Sequence, residues 1–393
     1  MDGALQPVAR TLFRAALLIF LVTILIGILN GLDVWEVPRT WLLTHVHAGT
    51  LGWITLSVVG TSLLLFGEGS DEKSVAAGRR MAMAALAAVV LYVIAFAVGF
   101  GIYRPIAGTL MLAAVVWFLV WVAGRYRVVP RTTPRLAMLL ATISLTLGAV
   151  LGVLLGLFIA NGSLPGLSTE TAESLAGAHP ESMLIGYLIL AGVAVTGWLL
   201  DGPNTRLSRV VPWALFVSGL LVMTAIITDF EALIQVSTLL EVAGIVMFIV
   251  LMWSRIRPSA WSGGGASAFA RLSVVFLAIG IGLFFYVVQL FLSGQLDPES
   301  GVGSFGALIA YEHAMFVGVM TNALFAVVAT ISPERTIRHV VLWGVNLGLI
   351  GFLIGLTTDS AILKRIASPV MGVALVYGIY LFLTRLGSRS PAT

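Results

Sequence analysis

Apolar residues in this chain run in blocks of roughly 20, each long enough to cross a bilayer as a helix, and short polar connections separate them. The approximate cores are 12–30, 41–66, 81–101, 106–124, 136–160, 180–200, 210–228, 232–253, 270–292, 306–330, 339–357 and 368–385. The pattern predicts an all-α integral membrane protein of about twelve transmembrane helices, forming a single transmembrane domain over 1–393. The first block follows Arg10 and Arg14 as a signal peptide would. Its apolar run is long and no small-residue cleavage site follows, so it is read as the first membrane helix.

Composition agrees with this. Hydrophobic residues make up 59% of the chain and charged residues 10%, with a mean hydropathy of +1.05, more apolar surface than a soluble domain needs. The basic residues follow the even-numbered segments: Lys73, Arg79 and Arg80; Arg125, Arg127, Arg131 and Arg135; Arg206 and Arg209; Arg255 and Arg257; Arg335 and Arg338. Other connections, such as 161–178 and 293–306, are poorer in base, with Lys364 and Arg365 as the main exceptions. The positive-inside rule then places the basic connections and both termini in the cytoplasm, and the membrane is read as the cytoplasmic membrane of a bacterium or archaeon. The basic balance reflects topology and calls for no nucleic-acid partner. The absence of cysteine removes disulfides, iron–sulfur clusters, thiolate haem and c-type haem attachment within this chain. The longest hydrophilic connections, near 161–178 and 258–269, read as Gly/Ser-rich linkers.

Three segments open with one small pattern that holds four of the five histidines. Aligned on Gly52, Gly186 and Gly318, one column contains His45, His179 and Tyr311, and a second, two residues on, contains His47, Glu181 and His313. His45 and His179 are 134 residues apart, and His179 and Tyr311 are 132 apart, about a third of the chain. A fixed period of this kind predicts three similar units, roughly 1–135, 136–269 and 270–393. With the termini inside, the four histidines share one layer toward the outer leaflet. Residues two apart on a helix point about 200° apart, so His45 and His47 serve different neighbours. Imidazoles placed this way suggest a ligand set for two adjacent haems, or for one haem and a second metal. The alternative, that each histidine is an ordinary hydrogen-bonded interfacial residue, fits four in register less well, because polar groups are costly in a membrane. The three glycines can serve close helix packing or leave room for a flat macrocycle. Trp53 and Tyr187 beside two of them read as packing or interface aromatics rather than redox relays.

The stretch from His45 and His47 to Gly52 and Trp53 resembles the His-x-His haem-ligand segment of cbb3-type cytochrome oxidases and nitric oxide reductases. His179, Pro180 and Glu181 resemble the His-Pro-Glu segment on the sixth helix of the haem–copper oxidase catalytic subunit. The resemblance implies twelve helices in three pseudo-equivalent groups of four, with haems nearer the outer face. Residue by residue the chain departs from the family. Where the copper-B His-His pair would follow the seventh helix stand Asp229, Phe230 and Glu231, and the redox tyrosine of the sixth helix is Met183. The best His-x-His match also lies on the second helix rather than the tenth. Two ligand pairings follow: His47 with His313, which share a column and are preferred, leaving His45 and His179 for a second site, or His47 with His179.

Arg39, Arg104, Lys364 and Arg365 are the rare basic residues of outer connections and are candidate haem-propionate partners or headgroup contacts. Arg104, in a tight turn from Tyr103 to Pro105, is the best of them. Glu181 and Glu312 are candidate metal ligands, proton relays or imidazole orienters, or simple helix-terminus acids. Glu241 reads as a lone intramembrane acid and a weak proton-path candidate. Asp229 and Asp359 recur at matching positions, and His339 reads as a surface residue.

The resulting expectation is a membrane protein carrying one or two b-type haems, with copper or non-haem iron as a candidate second metal (His45, His47, His179, His313 and Glu181 the candidate ligands). It would act in electron transfer, or in binding or reducing nitric oxide or oxygen as a haem-dependent oxidoreductase. Lack of the copper triad makes a proton-pumping oxidase the weaker reading. An external c-type cytochrome, cupredoxin or quinol would supply electrons, and further subunits could join it in the bilayer. The rivals are a haem-free polytopic transporter, whose repeats are usually inverted or two-fold, and a haem-binding accessory protein without turnover.

Overall fold

The computed structural model describes residues 3–257, 265–296, 305–332 and 339–387. Within them lie twelve helices long and apolar enough to span a membrane. They are α1 (Gln6–Gly31), α2 (Arg39–Phe66), α3 (Glu72–Val98), α4 (Tyr103–Tyr126), α5 (Thr133–Asn161), α6 (Thr169–Leu199), α7 (Val210–Thr228), α8 (Glu231–Ile256), α9 (Ala266–Leu292), α10 (Gly306–Ile331), α11 (His339–Thr357) and α12 (Ala361–Gly387). The protein is an all-α integral membrane protein. In a bilayer only a helix or a closed barrel satisfies every backbone group internally, and long apolar runs leave the helix as the solution here. Large apolar side chains such as Leu18, Val120 and Leu239 are exposed on the outside, as a lipid-facing surface requires.

Three boundaries differ from the sequence reading. The stretch taken as a linker up to Ala178 is helical from Thr169, because Ser168 caps it by accepting a hydrogen bond from the Thr171 N–H (3.1 Å) and Glu170 sits in its first turn. Tyr103, Arg104 and Pro105 are the first turn of α4 rather than a free turn; a proline is tolerated there since its missing N–H has no helical acceptor. Lys364 and Arg365 lie in the first turns of α12, not in a loop. Arg335, Arg338, most of the connection 258–269 and part of 293–306 lie outside the described residues.

Helices α2, α6 and α10 form the centre of the bundle. Of the apolar core of each, 83% is buried, against 22–50% for the other nine. The outer helices pack in three corresponding junctions, α12 against α1, α4 against α5 and α8 against α9. Each central helix carries an eight-residue π-helical segment at the same place: Ala48–Thr55, Ser182–Ile189 and Ala314–Thr321. Each begins three residues after the column of His45, His179 and Tyr311. In two of them a threonine hydroxyl donates to the carbonyl five residues back, Thr55 to Thr50 (2.9 Å) and Thr321 to Phe316 (3.0 Å), matching the wider π turn. π-Segments of this kind are rare and concentrate at functional sites.

The three central helices are tied in a ring. The Trp53 indole N–H donates to Thr321 Oγ1 (3.0 Å) and the Tyr187 hydroxyl to Thr55 Oγ1 (3.0 Å). At the third junction the same column holds Val319, which packs close to Gly192. Trp53 also stacks on Phe20, centroids 5.0 Å apart and planes 9° apart. Both aromatics are thus packing and hydrogen-bonding residues of the core. The repeat extends to the turns between α3 and α4, α7 and α8, and α11 and α12. There Gly99, Asp229 and Asp359 all adopt positive φ, the conformation glycine favours and aspartate tolerates.

At the end opposite the histidines, two arginines close the C-terminus of α2. Arg125 donates to the carbonyls of Phe66 (3.0 Å) and Glu68 (2.7 Å), and Arg135 donates to Leu65 (2.9 Å). These carbonyls lack helical partners, so the cations satisfy both hydrogen bonding and the helix dipole. The Arg135–Glu68 ion pair adds little, because the glutamate is 75% exposed. Arg125→Ala is expected to destabilise the protein by about 1.5–3 kcal/mol, read as a lowered thermal unfolding midpoint in detergent, and Arg125→Lys by less.

Candidate cofactor sites

His45 lies in α2 against α1. Its Nδ1 is 2.8 Å from the Thr23 carbonyl oxygen. A carbonyl only accepts, so Nδ1 carries the proton and Nε2 keeps its lone pair. The Thr23 hydroxyl donates back to the His45 carbonyl (3.2 Å). A Cβ on Gly27, one turn further along α1, would stand 3.1 Å from His45 Cε1, so the ring needs a glycine beside it. Across from it, on α10, His313 donates from Nδ1 to the Ile309 carbonyl (2.8 Å) and rests edge-on against Phe352 of α11. The His45 and His313 ring centres are 6.5 Å apart, with planes 28° apart.

A second pocket repeats this plan with α2, α3, α5 and α6. His179 of α6 donates from Nδ1 to the Gly148 carbonyl of α5 (2.8 Å), and a Cβ on Gly152 would come within 2.9 Å of its Cε1. His47 of α2 donates from Nδ1 to Leu43 (2.8 Å) and stacks on Phe96 of α3, centroids 3.9 Å apart. His179 and Arg104 lie near enough to His47 to interact with it electrostatically. Positions match residue for residue: Thr23 and Gly27 of α1 correspond to Gly148 and Gly152 of α5. Among the described residues no hydrogen bond engages Nε2 of any of the four histidines.

In the third pocket the same columns carry different chemistry. Tyr311 of α10 donates its hydroxyl to Glu241 Oε1 of α8 (3.2 Å), and Glu181 and Glu312 interact electrostatically with this pair. Glu241 is therefore not a lone acid, and Glu181 stands among carboxyl groups rather than beside a histidine pair.

The preferred pairing of His47 with His313 does not occur. In a three-fold ring, residues of one column all point the same way round, so they never face one another. The facing pairs combine the two columns: His45 with His313, His179 with His47, Tyr311 with Glu181. On α2 the residue turned toward α10 is His45.

The three aligned glycines serve packing. A Cβ on Gly52 would collide with Ile19, on Gly318 with Phe276, and on Gly186 would lie 3.1 Å from Ser144. These partners occupy matching positions of α1, α9 and α5, and they leave no room there for a macrocycle.

Of the basic candidates, Arg104 is buried at 8% exposure. One of its terminal nitrogens donates to the Phe96 carbonyl (3.1 Å), and its guanidinium lies over the rings of Phe96 (4.4 Å) and Phe100 (4.0 Å). Its Nε has no partner. Arg365 instead pairs with Asp33 (3.1 Å) and Lys364 with Asp359 (3.3 Å). Arg39 is exposed at the start of α2, and His339 is exposed at the start of α11.

Sequence reasoning did not single out Thr23, Gly27, Gly148 and Gly152, which position or make room for the rings. The four-residue spacing of Gly148 and Gly152 on α5, aligned with α1 by the repeat, was the available signal. Among the described residues no three His, Asp or Glu side chains group as a bare metal ion would need. Each histidine pocket offers two imidazoles, enough to hold from both faces a haem, which brings four nitrogens of its own. No family model matches the chain, and no curated protein matches it.

Proposed function

We propose that the protein is an electron-transferring membrane haem protein, similar to the haem–copper oxidase catalytic subunit, in which His45 and His313 hold a b-type haem from opposite faces. The observation that carries this is the separation of the two rings. Two imidazoles holding one metal from opposite sides at about 2 Å each have ring centres roughly 6 Å apart, and the observed value is 6.5 Å. Both rings are held by carbonyls at Nδ1, which fixes the tautomer, orients the ring and leaves Nε2 as the ligand atom. Gly27 supplies the space beside His45, and Phe352 walls the other ring.

A haem held there supplies an iron that takes up and gives back one electron. With His45 on one side and His313 on the other, the protein would hold the group from both faces and leave no face open to a gas ligand, which favours electron transfer over reduction of nitric oxide or oxygen. The basic ends of the helices mark the cytoplasmic side by the positive-inside rule. The histidine layer is then nearest the outside, where a c-type cytochrome, cupredoxin or quinol would approach.

The test is an absorption spectrum of the purified, detergent-solubilised protein, oxidised and dithionite-reduced, with and without carbon monoxide. Sharp reduced b-type bands unchanged by carbon monoxide are expected. A carbon monoxide-shifted spectrum would replace electron transfer by a gas-binding role. A preparation that stays colourless after haem supplementation would sink the reading altogether.

A further inference from the structure

We infer that the pocket formed by α2, α3, α4, α5 and α6 takes a second haem, with His47 and His179 as its axial pair and Arg104 as the partner of a propionate. This rests on the haem reading of the first pocket, and it adds a site in which that reading has no part.

Three features of the second pocket carry it. The histidine pair is built like the first pair, position for position. One imidazole in each is hydrogen-bonded to a carbonyl of the neighbouring outer helix and lies beside a glycine on that helix (Thr23 and Gly27, Gly148 and Gly152). The other imidazole in each is bonded to the carbonyl four residues back and packs on a phenylalanine of the next helix (Phe352, Phe96). His47 and His179 interact electrostatically across the pocket.

The third feature is independent of the histidines. Arg104 is more than nine-tenths buried, its Nε is without a partner, and its titratable neighbours besides the histidine are Tyr92 and Tyr103 rather than a carboxylate. A buried guanidinium without a counter-anion is costly. A propionate beside His47 would supply both the missing charge and an acceptor for Nε, in the bidentate geometry that arginine favours. By contrast Arg365, in the first turns of α12, has a carboxylate partner in Asp33.

The third pocket sets the limit of the repeat. Tyr311 and Glu181 stand where the imidazoles would be, so it does not take a haem by the same plan. The two histidine pockets meet on α2, whose His45 and His47 face opposite sides. Haems held at both pairs would lie on opposite sides of one helix, about 10 Å wide, and would allow electrons to pass between them within a single chain.

The experiment is haem per polypeptide by pyridine haemochrome on the purified protein, with low-temperature electron paramagnetic resonance of the oxidised form. Two haems per chain and two low-spin ferric species are expected. His47→Ala and His179→Ala, made separately, should each reduce the count to one and leave the spectrum of the remaining haem unchanged. Arg104→Gln should lower the midpoint potential of one haem only, since it removes a positive charge that favours ferrous over ferric iron. A wild-type count of one, abolished by His313→Ala and untouched by His47→Ala and His179→Ala, would overturn the second site and leave the first standing. A count of zero would overturn both. The resonance count on the wild type decides the matter even where a variant fails to fold.

Discussion

His313→Ala is expected to lose the low-spin absorbance of the haem proposed between α2 and α10 and to shed that haem on purification. The alanine removes one of the two imidazoles proposed to hold it, and the neighbouring residues do not replace that imidazole: Glu312 of α10 belongs to the carboxyl pocket, and Phe352 of α11 offers no donor. His45→Ala should do the same from the other face. A sharper form of the test leaves both ligands in place. In Gly27→Leu the new Cβ would already stand 3.1 Å from His45 Cε1, and the rest of the side chain must displace the ring. Affinity should fall on the scale of about 10–100-fold seen when a ligand's orienting partners are disturbed. His339→Ala, exposed at the far end, should change nothing. Full haem content with an unaltered spectrum in both His45→Ala and His313→Ala would remove these residues from the ligand set.

The second large effect concerns the fold. Gly219→Leu is expected to destabilise the protein by about 3 kcal/mol or more, and to lower the yield of folded protein accordingly. A Cβ at Gly219 of α7 would lie 2.5 Å from Gly186 Cα and 2.9 Å from its nitrogen. The obstruction is backbone within the π segment of α6, which cannot rotate away as a side chain can. Helices in lipid gain little from the hydrophobic effect and depend on close packing of this kind, so separating α6 from α7 removes the interaction that holds them. Gly124→Ala is the matched control. Nothing lies within 4 Å of its added Cβ, and the gain in helix propensity makes it neutral or slightly stabilising, by up to about 1 kcal/mol. Equal midpoints for Gly219→Leu and Gly124→Ala in a thermal unfolding assay would refute the packing account.

The sequence by itself determined the number and type of elements, because a run of apolar residues long enough for a bilayer has one hydrogen-bonded solution, the helix. The period linking His45, His179 and Tyr311 also determined which residues are equivalent. Helix ends set by caps were harder: the start of α6 depends on Ser168, one small residue in a polar stretch. Which histidine faces which was beyond the sequence. Alignment puts His47 and His313 in one column, and that suggested a pair, but equivalence under rotation makes two residues point in parallel senses around the axis, not toward each other. Only the tertiary ring of α2, α6 and α10 turns His45 to His313 and His47 toward His179. It likewise decided that Gly52, Gly186 and Gly318 serve packing, that Glu241 has Tyr311 as its partner, and that Arg104 is buried with an unsatisfied nitrogen. Each of these depends on neighbours from other helices, and contacts between helices far apart in the chain are fixed by packing rather than by local pattern.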